Sequence, residues 1–251
     1  MSSKVFISIA TIIIFLIADN NFDILQTVGV EITREYRYLV YITLSLILGL
    51  LGSVLLFGKQ ALQRLGMQDG MAKGLGYGLL FTLPMFVGYA FIGEWRTDFT
   101  ALDLLSTLIG ATMEEVVYRG VLFGFLYRFA GWKFLPAVLL NALIFASAHL
   151  YQGSGLEQTM GIFAVTLTGG LWFAWLYIKW DNNLWIAIGL HFFMNLSWGV
   201  FAVGDTALGG WGANVFRIMT IVLSIVYTKA VLARQQEVEQ EKEPNLQAVL
   251  G

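Results

Sequence analysis

Apolar residues in this chain gather in long runs rather than in alternation with polar ones. The runs cover about 5–18, 38–57, 75–93, 100–129, 133–150, 158–179, 183–203 and 212–232, and short polar or glycine-bearing stretches divide them. A hydrocarbon core about 30 Å thick needs about 20 apolar residues per helix, and irregular backbone is excluded from lipid contact. The pattern therefore predicts an all-α, polytopic membrane bundle of about eight transmembrane helices, with no strands. Breaks such as Gly131-Trp132-Lys133 and Asp181-Asn182-Asn183 are short enough to join antiparallel neighbours.

Three segments depart from the plain pattern. Lys4 followed by the 5–18 run imitates a signal peptide, but no small-x-small cleavage site precedes Asp19, so it reads as a first membrane helix. At 1.5 Å per residue that run reaches about 21 Å, short of a full span, so the helix is expected either to be tilted little or to extend past Asp19. Within 60–73, Leu62, Leu65 and Met67 are interleaved with Gln60, Gln63, Arg64 and Gln68, the pattern of an interfacial helix. The stretch 235–251 carries Glu237, Glu239, Glu241 and Glu243 and reads as an acidic, solvent-exposed tail.

Composition agrees with the pattern: of 251 residues 57% are hydrophobic and 13% charged, with a mean hydropathy of +0.71. The net charge of −2 and the lack of a basic stripe exclude a nucleic-acid binder. Without cysteine, disulfides, thiolate metal ligands and a cysteine nucleophile are all excluded. Lys and Arg concentrate in alternate short loops, which predicts cytoplasmic termini on both sides of the chain. Trp132, Trp180 and Trp185 would then form an inner aromatic belt, and Trp95 and Trp211 an outer one.

Against this background three polar clusters stand out: Glu114-Glu115-x-x-x-Arg119, Phe145-x-x-x-His149 and His191-x-x-x-Asn195. A charge inside a bilayer helix costs at least a few kcal/mol, so such groups mark proton, ion or catalytic paths. Glu115 and Arg119, four apart, share a helical face and read as a buried ion pair that supports packing. Glu114 points about 100° away and has no local cation, which leaves it free to act as general base and acid. His191 and Asn195 share one face, as two donors for a developing oxyanion would. Taken singly, each residue is more simply an interhelical hydrogen-bonding group. Together, one acid, two histidines and an amide are the parts for activating water and stabilising a tetrahedral intermediate. Gly161, Gly169 and Gly170 with Thr166 and Thr168 predict close helix approach, and Asn141 an interhelical hydrogen bond near the site.

The order and spacing of the three motifs resemble the CPBP family of intramembrane proteases, which includes the Rce-type CaaX prenyl endopeptidases and bacterial proteins labelled abortive-infection or bacteriocin-immunity. The resemblance runs from about Ala101 to Val203. It implies a division into N-terminal transmembrane helices (1–100), a catalytic helical core (101–203), a last transmembrane helix (204–234) and the tail (235–251). It also implies a glutamate-type endopeptidase in which Glu114 and His149 hold and deprotonate a water while His191 and Asn195 stabilise the oxyanion. Glu115 and Arg119 would support the site. No cofactor is expected. In a less favoured version Glu114, His149 and His191 bind zinc. The implied partners are membrane lipid and a peptide or prenylated membrane-protein substrate, and the implied setting is a bacterial-type plasma membrane. Two other classes fit the same clusters: a non-enzymatic membrane scaffold or immunity protein, and a proton-coupled carrier, although no inverted repeat supports the latter. By depth along the helices, His149 falls near the outer boundary and His191 only about 12 Å from the inner one, a mismatch that offset or bent helices would have to absorb.

Overall fold

A computed structural model describes residues 3–250, and their side chains over 3–234. The expected solvated tail lies outside the described side chains. Among the described residues every regular element is helical. The helices are α1 (Ser3–Asp19), α2 (Asn21–Thr27), α3 (Arg37–Phe57), α4 (Ala61–Leu65), α5 (Met71–Ile92), α6 (Ala101–Glu114), a π-helical run (Glu115–Phe125), α7 (Leu126–Arg128), α8 (Phe134–Ser147), α9 (Leu156–Lys179), α10 (Leu184–Val200) and α11 (Trp211–Leu250). Among the described residues, five helical stretches are long and apolar enough to cross a membrane, or six if the bent pair α1 and α2 is one span. The chain is a multi-pass membrane protein. The two remaining runs of the expected eight are helical as well: one is the continuous stretch from α6 through α7, the other the 17-residue α10.

The first helix does not run on past Asp19. It breaks at Asn20 and turns by 65° into α2, and buried Asn21 fixes the bend by donating to the Ala18 carbonyl (2.7 Å) and Ser45 Oγ (2.6 Å). Within the amphipathic segment 60–73, α4 takes five residues and is ended by Gly66 in the left-handed region (φ 78°), and α5 starts at Met71. Leu65 is fully buried and Leu62 half exposed, so α4 packs one face on the protein and leaves the other at the surface.

This packing sets where α10 starts. α10 begins inside the bundle: Leu184 is fully buried, and its N–H donates to the Gly66 carbonyl (2.9 Å). The connection between α3 and α5 covers the end of α10. Gly74 and Gly78 of α5 hold α10 close, since a Cβ at Gly78 would meet the backbone of Gly189 and Leu190. Small residues one turn apart permit this backbone approach.

The tryptophans expected in the inner belt each donate a hydrogen bond to a neighbouring element. Trp180 is 7% exposed and donates to Thr228 Oγ1 (3.0 Å), Trp185 to the Met67 carbonyl (3.0 Å) and Trp132 to Ser8 Oγ (3.2 Å). Trp95 and Trp211 remain exposed, as a belt requires. Of the three glycines in α9, Gly170 does allow close approach, to Ala142 of α8, whereas a Cβ at Gly169 would meet open space. Asn141 is buried with no side-chain hydrogen bond among the described residues, so the expected interhelical bond is not made.

Candidate active site

The first motif sits where one helical form gives way to another. Thr100 opens α6 with a reciprocal cap, its hydroxyl accepting from the Asp103 N–H and the Asp103 carboxylate accepting from the Thr100 N–H. Glu114 closes α6, and Glu115 opens the π-helical run. Eleven π-helical residues are unusual, since most such segments are single turns, often at functional sites. All eleven are buried, so the widened helix is packed on every side.

Glu115 is the hub of the cluster. Its carboxylate, with no solvent exposure, lies 3.3 Å from Arg119 Nη1 and accepts from His191 Nδ1 at 2.7 Å. The expected Glu115 and Arg119 pair is present, and the bond to His191 gives Glu115 a second task. Because the carboxylate can only accept, Nδ1 of His191 carries a proton, and Nε2 is turned to the other acid. Glu114 Oε2 lies 3.6 Å from that Nε2, too long for a hydrogen bond but within ion-pair range. Glu114 Oε2 has no hydrogen-bond partner among the described residues.

Arg119 is fully buried, and its guanidinium makes no hydrogen bond among the described residues. Two ring faces enclose it, Phe145 at 4.1 Å and Phe173 at 5.4 Å from the centroids. This gives the Phe of the second motif a physical reason. Phe145 covers the cation of the first motif, stands edge-on to Tyr118 and contacts the His149 ring at 4.5 Å. Phe173 also packs on His191, at 5.3 Å. Sequence reasoning did not reach Phe173, because an aromatic residue in an apolar helix gives no signal of its own.

His149 lies in the turn beyond α8, and its Nδ1 donates to the Phe145 carbonyl (2.7 Å). The bond fixes Nε2 as the free nitrogen. His149 makes no hydrogen bond to Glu114 among the described residues; the two are joined by the cavity they share. That cavity, of about 950 Å³, is lined by Glu114, His149, His191 and Asn195, together with Arg217 and Tyr38. Its size is within the range of ligand-binding clefts. Asn195 is exposed and follows His191 by one turn of α10. All four residues expected to carry the chemistry thus face one space, while Glu115 and Arg119 lie behind it.

Among the described residues no three His, Asp or Glu side chains are gathered so as to hold a metal ion. His191 spends Nδ1 on Glu115 and His149 spends Nδ1 on its own helix, and the set Glu114, His149, His191 does not converge at ligand distance.

Residues 95–197 match the family model described as "Type II CAAX prenyl endopeptidase Rce1-like". This segment includes all three motifs. A curated relative, "Putative membrane peptidase YdiL" of Bacillus subtilis (strain 168), is 29% identical over 92 residues, 37% of this chain and 33% of the relative. The chain thus matches about a third of the length of that relative. No solved structure matches the chain.

Proposed function

We propose that this chain is a membrane-embedded endopeptidase of the glutamate type. The observation that carries the reading is the single cavity lined by Glu114, His149, His191 and Asn195, with the two glutamates bracketing the His191 ring. The Rce1-like match over the same residues supports a peptidase. Glu114 and the free Nε2 of His149 hold a water against the scissile carbonyl. Glu114 takes one proton as the water oxygen bonds to the carbonyl carbon. The oxyanion accepts from His191 Nε2–H and the Asn195 amide, so the His191 ring carries both protons at that moment, with the Glu115 carboxylate balancing its charge. Collapse breaks the C–N bond, and Glu114 passes its proton to the leaving nitrogen. No step passes through a metal.

The substrate in this reading is a peptide or prenylated membrane protein, cut near its C-terminus as in CaaX processing. The setting is a bacterial-type plasma membrane with both termini in the cytoplasm. The test is hydrolysis of farnesylated CaaX-type peptides by the purified chain in liposomes. Glu114→Gln, His149→Ala and His191→Ala are each expected to lower kcat by about 10²-fold or more, the scale of one acid–base or oxyanion group. Folded variants that keep full activity would overturn the mechanism. A Glu114→Gln protein that accumulates and preserves a cellular phenotype would mark a scaffold instead.

A further inference from the structure

Behind Glu114 and His149 lies a second, smaller space of about 400 Å³. It shares Tyr38, Glu114, Phe145, His149 and Tyr151 with the larger cavity and adds Tyr41, Met113, Tyr118 and Ala148, none of which line the larger one. Glu114 and His149 therefore stand where two spaces meet, one on the side of α9 and α11 and one on the side of α3 and the π-helical run. We propose that the smaller space is a water inlet that supplies the hydrolytic water while substrate fills the larger cavity. The inference rests on the endopeptidase reading.

Three observations carry it. Each turnover consumes one water, and an apolar substrate segment seated in the larger cavity closes the approach to Glu114 from that side. The smaller space suits water, because a cavity holds water when it is roomy and offers two to four polar partners, and at about 30 Å³ per molecule it takes roughly a dozen. Six of its nine lining residues bear a hydroxyl, carboxylate or imidazole. Finally, its outer wall is polar without being charge-neutralised. Tyr118 and Tyr41 donate to Asp19 Oδ1 at 2.8 and 3.4 Å, and no cation pairs with Asp19 among the described residues. Asp19 closes α1 at the bend into α2, a partly buried acid on the wall of the smaller space, and such acids in apolar segments commonly mark hydrated paths. On the catalytic side, the orphaned Oε2 of Glu114 needs a hydrogen-bond donor, which water provides.

Two methionines allow a direct test by hydroxyl-radical footprinting, which labels side chains beside water. Met113 lines only the smaller space, and Met194 only the larger. The full chain is footprinted in liposomes with and without a reduced-amide farnesylated peptide. Binding is expected to protect Met194 at least fivefold and to leave Met113 oxidation within twofold of the free protein. The inference is overturned if Met113 is unlabelled in the free protein, or if it is protected in step with Met194. If Met194 is not protected, the peptide does not occupy the larger cavity, and the substrate reading and the inlet fall together. In kinetics, Ala148→Leu narrows the smaller space and should lower kcat about tenfold with KM within twofold. Gly169→Leu, which reaches into the larger cavity, should chiefly raise KM. An unchanged kcat in Ala148→Leu alongside an inactive Glu114→Gln overturns the inlet and leaves the catalytic reading standing. If Ala148→Leu does not accumulate, the footprint decides.

Discussion

Replacing Arg119 by methionine separates what holds the fold from what performs the chemistry. The guanidinium is fully buried and held only by Glu115 at 3.3 Å and the faces of Phe145 and Phe173. Arg119→Met leaves the Glu115 carboxylate in the interior with His191 as its remaining partner. Removing one member of a buried pair costs about 3–5 kcal/mol. At about 2–4 °C per kcal/mol for a chain of this size, the apparent Tm should fall by about 6–20 °C. Intrinsic fluorescence of the eight tryptophans during thermal unfolding in detergent reads this directly. Pairing the change with Glu115→Leu removes the stranded charge. Because well-packed apolar replacements of buried ion pairs are often neutral or stabilising, most of the lost Tm should return. Hydrolysis should not return, because His191 Nδ1 has lost its acceptor. The reasoning is refuted if Arg119→Met melts within 2 °C of the parent, on the scale of less than about 1 kcal/mol, or if the double variant is active.

Asn195→Ala should lower kcat by about 10²- to 10³-fold, the cost of one oxyanion donor, with the Tm unchanged because the side chain is exposed and makes no hydrogen bond among the described residues. A kcat within threefold of the parent would remove Asn195 from the mechanism. Ser224→Ala strands the indole N–H of buried Trp172, which donates to Ser224 Oγ at 3.1 Å. At about 1–3 kcal/mol for an unsatisfied buried donor, a Tm fall of about 2–12 °C is expected, while KM, measured at 25 °C, stays within twofold. Prolonged dialysis against a chelator should leave hydrolysis intact, since the metal-free route uses only Glu114, His149, His191 and Asn195; loss of activity restored by zinc alone would reverse that assignment.

The helices were legible because lipid leaves the backbone no other way to satisfy its hydrogen bonds. The site was legible to the extent that each motif fits within one or two turns of helix, as with Glu115 and Arg119. The hydrogen bond that organises the site was hidden, because it joins Glu115 to His191 across 76 residues and depends on how deeply α10 is set. That depth depends in turn on Gly66 and on the glycines of α5, which in a list of residues look like ordinary turn and helix positions. The bend after Asp19 was also hidden, because it turns on one buried asparagine. The acceptors of Trp132, Trp180 and Trp185 were hidden too, because each lies on an element distant in sequence.

The π-helical run from Glu115 to Phe125 makes the site unusually intolerant of length changes. In such a run each turn carries about one residue more than in an α-helix, with bonds closing five residues back rather than four. Deleting any one residue there, even an apolar one far from the cavity, allows relaxation to α-helix. Glu114 would then swing by about 100° relative to the packed lower half of the helix. Homologous chains that conserve every motif residue but differ by one residue between Arg119 and Phe125 should therefore be treated as different in geometry, whatever their percentage identity. For the same reason, an insertion restoring the lost residue elsewhere in this run should rescue a deletion that no point substitution can.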